Sequence, residues 1–90
     1  MLTGMTDDIR TQLDVDPVRK RIGDNVRAEM ARHRLHQDQV GEILGITRAA
    51  VSKRLSGLVG FEAAELVRIA AGLDVPVSRL IEAPTPASAA

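Results

Sequence analysis

"QDQVGEILGITRAAVSKRLSG", residues 37–57, is the stretch whose reading decides the fold. Its first part has helical apolar spacing, with Val40, Ile43 and Leu44 on one side and Gln37 and Asp38 at its start. Gly45 breaks that pattern. Glycine takes a left-handed conformation without a Cβ penalty, so it suits the position just past a helix end. Thr47 then offers an N-cap for a second helix, which runs to about Leu55 and is closed by Gly57. Gly41 falls inside the first helix, where glycine costs up to ~1 kcal/mol relative to alanine. Its presence predicts a close approach of the next helix. Counting from Gln37, the small residue is fifth, the turn glycine ninth and the β-branched Val51 fifteenth. Those spacings describe two helices crossing steeply over a tight turn.

The second of these helices is unusual in composition. Placed on a wheel at about 100° per residue, Val51 and Leu55 share one direction, which must be the buried one. Ala49, Ala50 and Lys53 point roughly away, Ser52 and Arg54 flank, and Arg48 sits at the N-terminal tip. A helix that only fills a core would be more apolar. A slim outer face with cationic donors at its leading end, and small hydroxyls such as Ser52 and Ser56 along its sides, fits entry into a DNA major groove.

Working outward, Asp16-Pro17 marks another helix start, because Asp caps an N-terminus and Pro tolerates the first helical position. From there Ile22, Val26 and Met30 recur every four residues, with Arg19, Lys20, Arg21, Arg27, Arg32 and Arg34 on the remaining surface. Downstream, "LVGF" reads as a loop anchored by Leu58 and Phe61. "EAAELVRIAAGL" places Leu66, Ile69, Ala70 and Leu73 on one face. "DVPVSRLIEA" predicts a last short helix with Pro76 in its first turn and Leu80 and Ile81 turned inward. Residues 1–16 are expected to form an arm or a short extra helix, in which Thr6 caps a segment carrying Ile9 and Leu13. Met5 offers a second translation start. Residues 17–83 form the domain, and the Pro- and Ala-rich residues 84–90 are expected to be a disordered tail.

The composition agrees with an all-α domain. One Phe and no Tyr or Trp disfavour strands. Net charge is zero, but it is unevenly spread. Residues 1–16 carry one basic and four acidic side chains, residues 17–57 nine and four, and residues 58–90 two and four. The central block is therefore at +5, and it is the local field that attracts phosphate.

Taken together, residues 37–57 resemble the helix-turn-helix of the lambda-repressor/Cro-like (XRE) family, and "FEAAELVRIAAGLDVPVSRLI" resembles that family's fourth and fifth helices. The likeness covers about residues 17 to 82, and "VSKRLSG" is most similar to small actinobacterial and actinophage regulators. The resemblance implies a five-helix domain that binds double-stranded operator DNA, commonly as a homodimer. Base-edge contacts would fall to Arg48, Ala49 and Lys53. Phosphate or flanking contacts would fall to His36, Gln37, Ala50, Ser52, Arg54 and Ser56. Many members pair an acidic residue at the end of the recognition helix with an Arg late in the first helix. Here the corresponding positions hold Arg54, Leu55 and Met30. The expectation is that Met30 packs on Leu55 instead and that Glu29 reaches Arg54.

The leading functional expectation is a phage-type or phage-derived repressor that acts by occupying an operator. An antitoxin that autoregulates through the same domain is the alternative, ranked lower because residues 1–15 are short and polar for a toxin-binding arm. An adaptor that has lost DNA contact is disfavoured by the basic central block. An enzyme is not expected. There is no cysteine, no glycine-rich phosphate loop and no supported serine–histidine arrangement. A single Phe supplies no stacking platform for single strands or RNA. His33 and His36 lack a third ligand and read as surface or capping residues rather than a metal pair. Neither cofactor nor small-molecule substrate is called for. No membrane span or secretion signal is visible, so a cytoplasmic location is expected.

Overall fold

The computed structural model describes residues 15–83. The expected Thr6-capped segment and the expected tail at 84–90 lie outside the described residues. Among the described residues there are five helices and no strand: α1 (Pro17–Arg32), α2 (Gln37–Leu44), α3 (Arg48–Ser56), α4 (Ala63–Leu73) and α5 (Ser78–Ile81).

The helix starts follow the local chemistry. The Asp16 carboxylate accepts from the amides of Val18 and Arg19 at 2.8 and 3.1 Å, and Pro17 occupies the first helical position of α1. The Gln39 side chain accepts from the His36 amide at 2.8 Å and steadies the start of α2. Thr47 Oγ1 accepts from the Ala50 amide at 3.1 Å and caps α3. Each bond satisfies an amide that has no partner inside its own helix.

The turn between α2 and α3 is closed by Gly45, whose φ is 71°. The Ile46 amide donates to the Gly41 carbonyl at 2.9 Å, and α3 starts two residues later. The expected tight approach at Gly41 is present, but what comes close is the turn backbone. A Cβ on Gly41 would lie 2.7 Å from the Ile46 carbonyl oxygen.

Helices α1 and α4 close in left-handed geometry without glycine. Arg34 and Asp74 take left-handed φ values of 53° and 57°. Behind them the Leu35 amide donates to the Met30 carbonyl at 2.8 Å, and the Val75 amide to the Ala70 carbonyl at 3.0 Å. In each case the following apolar residue packs against the core, the usual companion of this helix ending.

One core joins all five helices. It contains Val26 and Met30 of α1, Val40 and Leu44 of α2, Val51 and Leu55 of α3, Leu66, Ile69, Ala70 and Leu73 of α4, and Leu80 of α5. Ile22, Leu35, Ile43, Ile46, Phe61 and Val75 pack around it. Two expectations are corrected. Ile81 is exposed, because a helix of four residues can turn only one side inward and Leu80 takes it. Leu58 is exposed as well, so Phe61 alone anchors the loop after α3. Helix α5 is tied to α1 by polar contacts. Asn25 Nδ2 donates to the carbonyls of Leu80 and Glu82 at 3.2 and 2.8 Å, and Arg21 Nη2 to that of Ile81 at 3.3 Å.

Among the described glycines the tightest approach is at Gly23, where α1 crosses the end of α3. A Cβ there would collide with the Leu55 carbonyl oxygen and lie 2.8 Å from its carbon and 3.0 Å from the Arg54 carbonyl oxygen. Backbone cannot rotate aside as a side chain can. Gly23→Ala is therefore expected to destabilise the protein by about 2 kcal/mol or more, even though alanine is the better helix former. Urea denaturation of the two proteins measures the difference.

Candidate nucleic-acid interface

Val51 and Leu55 are almost completely buried, and they hold α3 to the core by one side only. Arg48, Ala49, Ser52 and Lys53 lie exposed on its other side. All three expected base-reading residues thus share one accessible face. Lys53 forms no ion pair among the described residues. Arg48 is the first residue of α3, at the end where the helix dipole disfavours a cation. Its placement therefore does nothing for the helix itself. Its Nε lies 3.8 Å from Asp38 Oδ1, between two exposed side chains.

The expected flanking residues divide. His36 is the exposed N-cap residue of α2 and Gln37 its first, half-buried residue, both beside the tip of α3. Ala50 is half-buried, and its amide is used by Thr47, so it offers contact surface only. The Ser52 side chain is exposed. The Ser56 hydroxyl donates to the Lys53 carbonyl at 3.0 Å and is turned back on its own helix.

Arg54 departs most from expectation. Glu29 does not reach it. Glu29 is buried, pairs with Arg32 and lies 3.7 Å from Arg79. Arg54 instead grips Glu65 of α4 through two bonds, Nε to Oε1 at 3.0 Å and Nη2 to Oε2 at 3.3 Å. Its Nη1 donates to the Ala50 carbonyl at 3.2 Å. The side chain is only 16% exposed, so this guanidinium bolts α3 to α4 and does not face outward. Arg54 of α3 thus takes its acidic partner from α4 and not from α1. Met30 and Leu55 both lie in the core, as the loss of the usual pair predicts.

Glu65 also accepts from the Glu62 amide at 2.9 Å. Burial alone would raise its pKa, but the Glu62 amide and the Arg54 guanidinium outweigh that and hold it below the ordinary value.

The sequence reading did not single out Arg27. It is exposed on α1 and lines an open depression of about 480 Å³ together with His36, Gln37, Asp38 and Arg48. Nothing in its local spacing marks it. Only the packing of α1 against α3 brings it to the same depression.

A capped α2, a left-handed glycine turn and an α3 with a free basic face together make a helix-turn-helix DNA-binding domain. A family model described as helix-turn-helix matches residues 26–80, more than half of the chain. The chain belongs to this XRE-type, lambda-repressor/Cro-like family of DNA-binding transcription regulators. No individual curated protein and no solved structure gives a significant match. No helix among the described residues is long and apolar enough to cross a membrane.

Two outcomes test the bolt. Arg54→Ala leaves the Glu65 carboxylate buried without its partner and is expected to cost about 3 kcal/mol. A carboxyl whose folded pKa is depressed stabilises fully above its unfolded pKa, here near 4.5, and loses that contribution as pH falls through the lower folded value. Thermal melts should therefore show wild-type stability falling on acidification below about pH 4.5, and Glu65→Gln should have a shallower acid limb.

Proposed function

We propose that the protein is a repressor of the repressor/Cro kind, phage-type or phage-derived, which binds a specific double-stranded operator and blocks transcription by occupying it. The observation that carries this reading is the free face of α3. Arg48, Ala49, Ser52 and Lys53 are all exposed while Val51 and Leu55 brace the helix from behind. In this reading α3 lies in the major groove. Arg48 and Lys53 meet base edges, and Ala49 lets the helix approach closely enough for them to do so. His36, Gln37, Ser52 and Arg27 flank the groove and meet the sugar–phosphate backbone. Arg54 is left out because its donors serve Glu65, and Ser56 because its hydroxyl serves α3.

Operators read by such domains commonly consist of two half-sites, and the protein binds them as a homodimer with one α3 in each successive major groove. Membership of the helix-turn-helix family supports the DNA-binding class. The basic block at residues 17–57 supports attraction to phosphate.

Fluorescence anisotropy with duplexes from the adjoining intergenic DNA tests the reading. Binding should weaken steeply with salt as counterions are released. Arg48→Ala and Lys53→Ala should each cost about 1–3 kcal/mol on the preferred duplex and much less on unrelated sequence. Binding that ignores salt, or equal losses on every duplex, contradicts the assignment.

A further inference from the structure

Asp38 is out of place by the ordinary logic of a DNA-binding face. It sits in the first turn of α2, exposed, beside the residues that meet phosphate in the reading above. A carboxylate there repels the duplex. An anion does suit a helix N-terminus, but any other acid in that first turn, off this face, would serve equally. What distinguishes position 38 is its neighbour across the turn. Its Oδ1 lies 3.8 Å from Arg48 Nε, with the side chains 68% and 71% exposed. An exposed pair of this kind contributes little to folding, so stability does not account for it.

The atoms involved suggest another role. A guanidinium is a flat fork with donors on two edges. Asp38 faces the Nε edge and leaves the terminal Nη1 and Nη2 edge open. No other ion pair of Arg48 is present among the described residues. Guanine presents O6 and N7 as a matching pair of acceptors in the major groove. The present separation is that of an ion pair rather than a hydrogen bond. Expelling water from the groove strengthens the attraction across it.

We propose that Asp38 is a positioning residue for base recognition. It holds Arg48 by the Nε edge so that the terminal edge meets a guanine, and its charge weakens attraction to phosphate irrespective of sequence. It trades total affinity for discrimination, since specificity is a difference between affinities. The proposal rests on the assignment of Arg48 to a base edge.

The test uses the whole chain and a duplex selected by the wild-type protein from a random-sequence pool. Anisotropy is measured on that duplex, on versions with each G·C pair replaced in turn, and on a scrambled duplex. Asp38→Ala should bind the scrambled duplex about two- to threefold more tightly, since one repulsive charge is gone. Its preference for the selected duplex should fall by about three- to tenfold, with the loss concentrated at one G·C pair. Asp38→Asn, which keeps the shape, should behave in the same way. In an Arg48→Ala background, Asp38→Ala should change discrimination no further. A gain of affinity that is equal on every duplex overturns the proposal, because Asp38 then only repels phosphate. An equal loss on every duplex overturns it too, because the residue is then merely structural. Failure of the underlying reading looks different: the wild-type protein selects no sequence, or Arg48→Ala weakens all duplexes alike, and the proposal falls with it.

Discussion

The arrangement depends on two backbones meeting without a side chain between them. At Gly23, α1 lies directly on the carbonyls of Arg54 and Leu55 at the end of α3. That contact sets how far α3 stands from the rest of the domain, and the standoff is small. Val51 and Leu55 then fill the little space behind it, and two apolar side chains suffice. This explains why the apolar stripe of α3 can be so thin. The thin stripe in turn leaves the opposite side for Arg48, Ala49, Ser52 and Lys53. A helix held farther from the core would need larger residues around more of its circumference and would have no free face to offer DNA.

The structure also sorts the positive charge. The sequence places a surplus of cations between residues 17 and 57 without saying which of them are free. Arg54 is committed to Glu65, Arg32 to Glu29 and Lys20 to Asp24. Arg48 is only loosely engaged, by Asp38, and Lys53 has no acidic partner among the described residues. The loosely held and unpartnered cations of α3 lie on its outward side, and the tightly held one lies between helices. An ion pair removed from water needs a fixed partner to offset its desolvation. A cation meant for phosphate or a base must keep its donors available.

Much of this was legible locally. Asp16 before Pro17, Thr47 before α3 and Gly45 between α2 and α3 act within a few residues of chain, and each does what its chemistry dictates. The buried faces of α1, α2 and α4 follow helical periodicity and emerge nearly as read. Legibility fails where a residue's role is set by something distant in sequence. Gly23 has no turn signal or positive φ to mark it, only a neighbour in another helix. Arg34 and Asp74 adopt the left-handed geometry usually given to glycine, because the packing of Leu35 and Val75 behind them compensates for the strain. Ile81 and Leu58 are apolar but exposed, since a four-residue helix and a short loop have only one inward direction each.

The amino-acid sequence by itself determined the helices, their caps, the helix–turn–helix spacing and the side of α3 that is buried. These are consequences of hydrogen-bonding chemistry and periodicity over a few neighbouring residues. Only the tertiary structure decided that Arg54 binds Glu65, that Arg27 shares a depression with His36, Gln37 and Arg48, and that Asp38 stands against Arg48. Those pairings depend on the angles at which helices cross. The angles come from the whole core settling at once around backbone contacts such as Gly23 on Leu55.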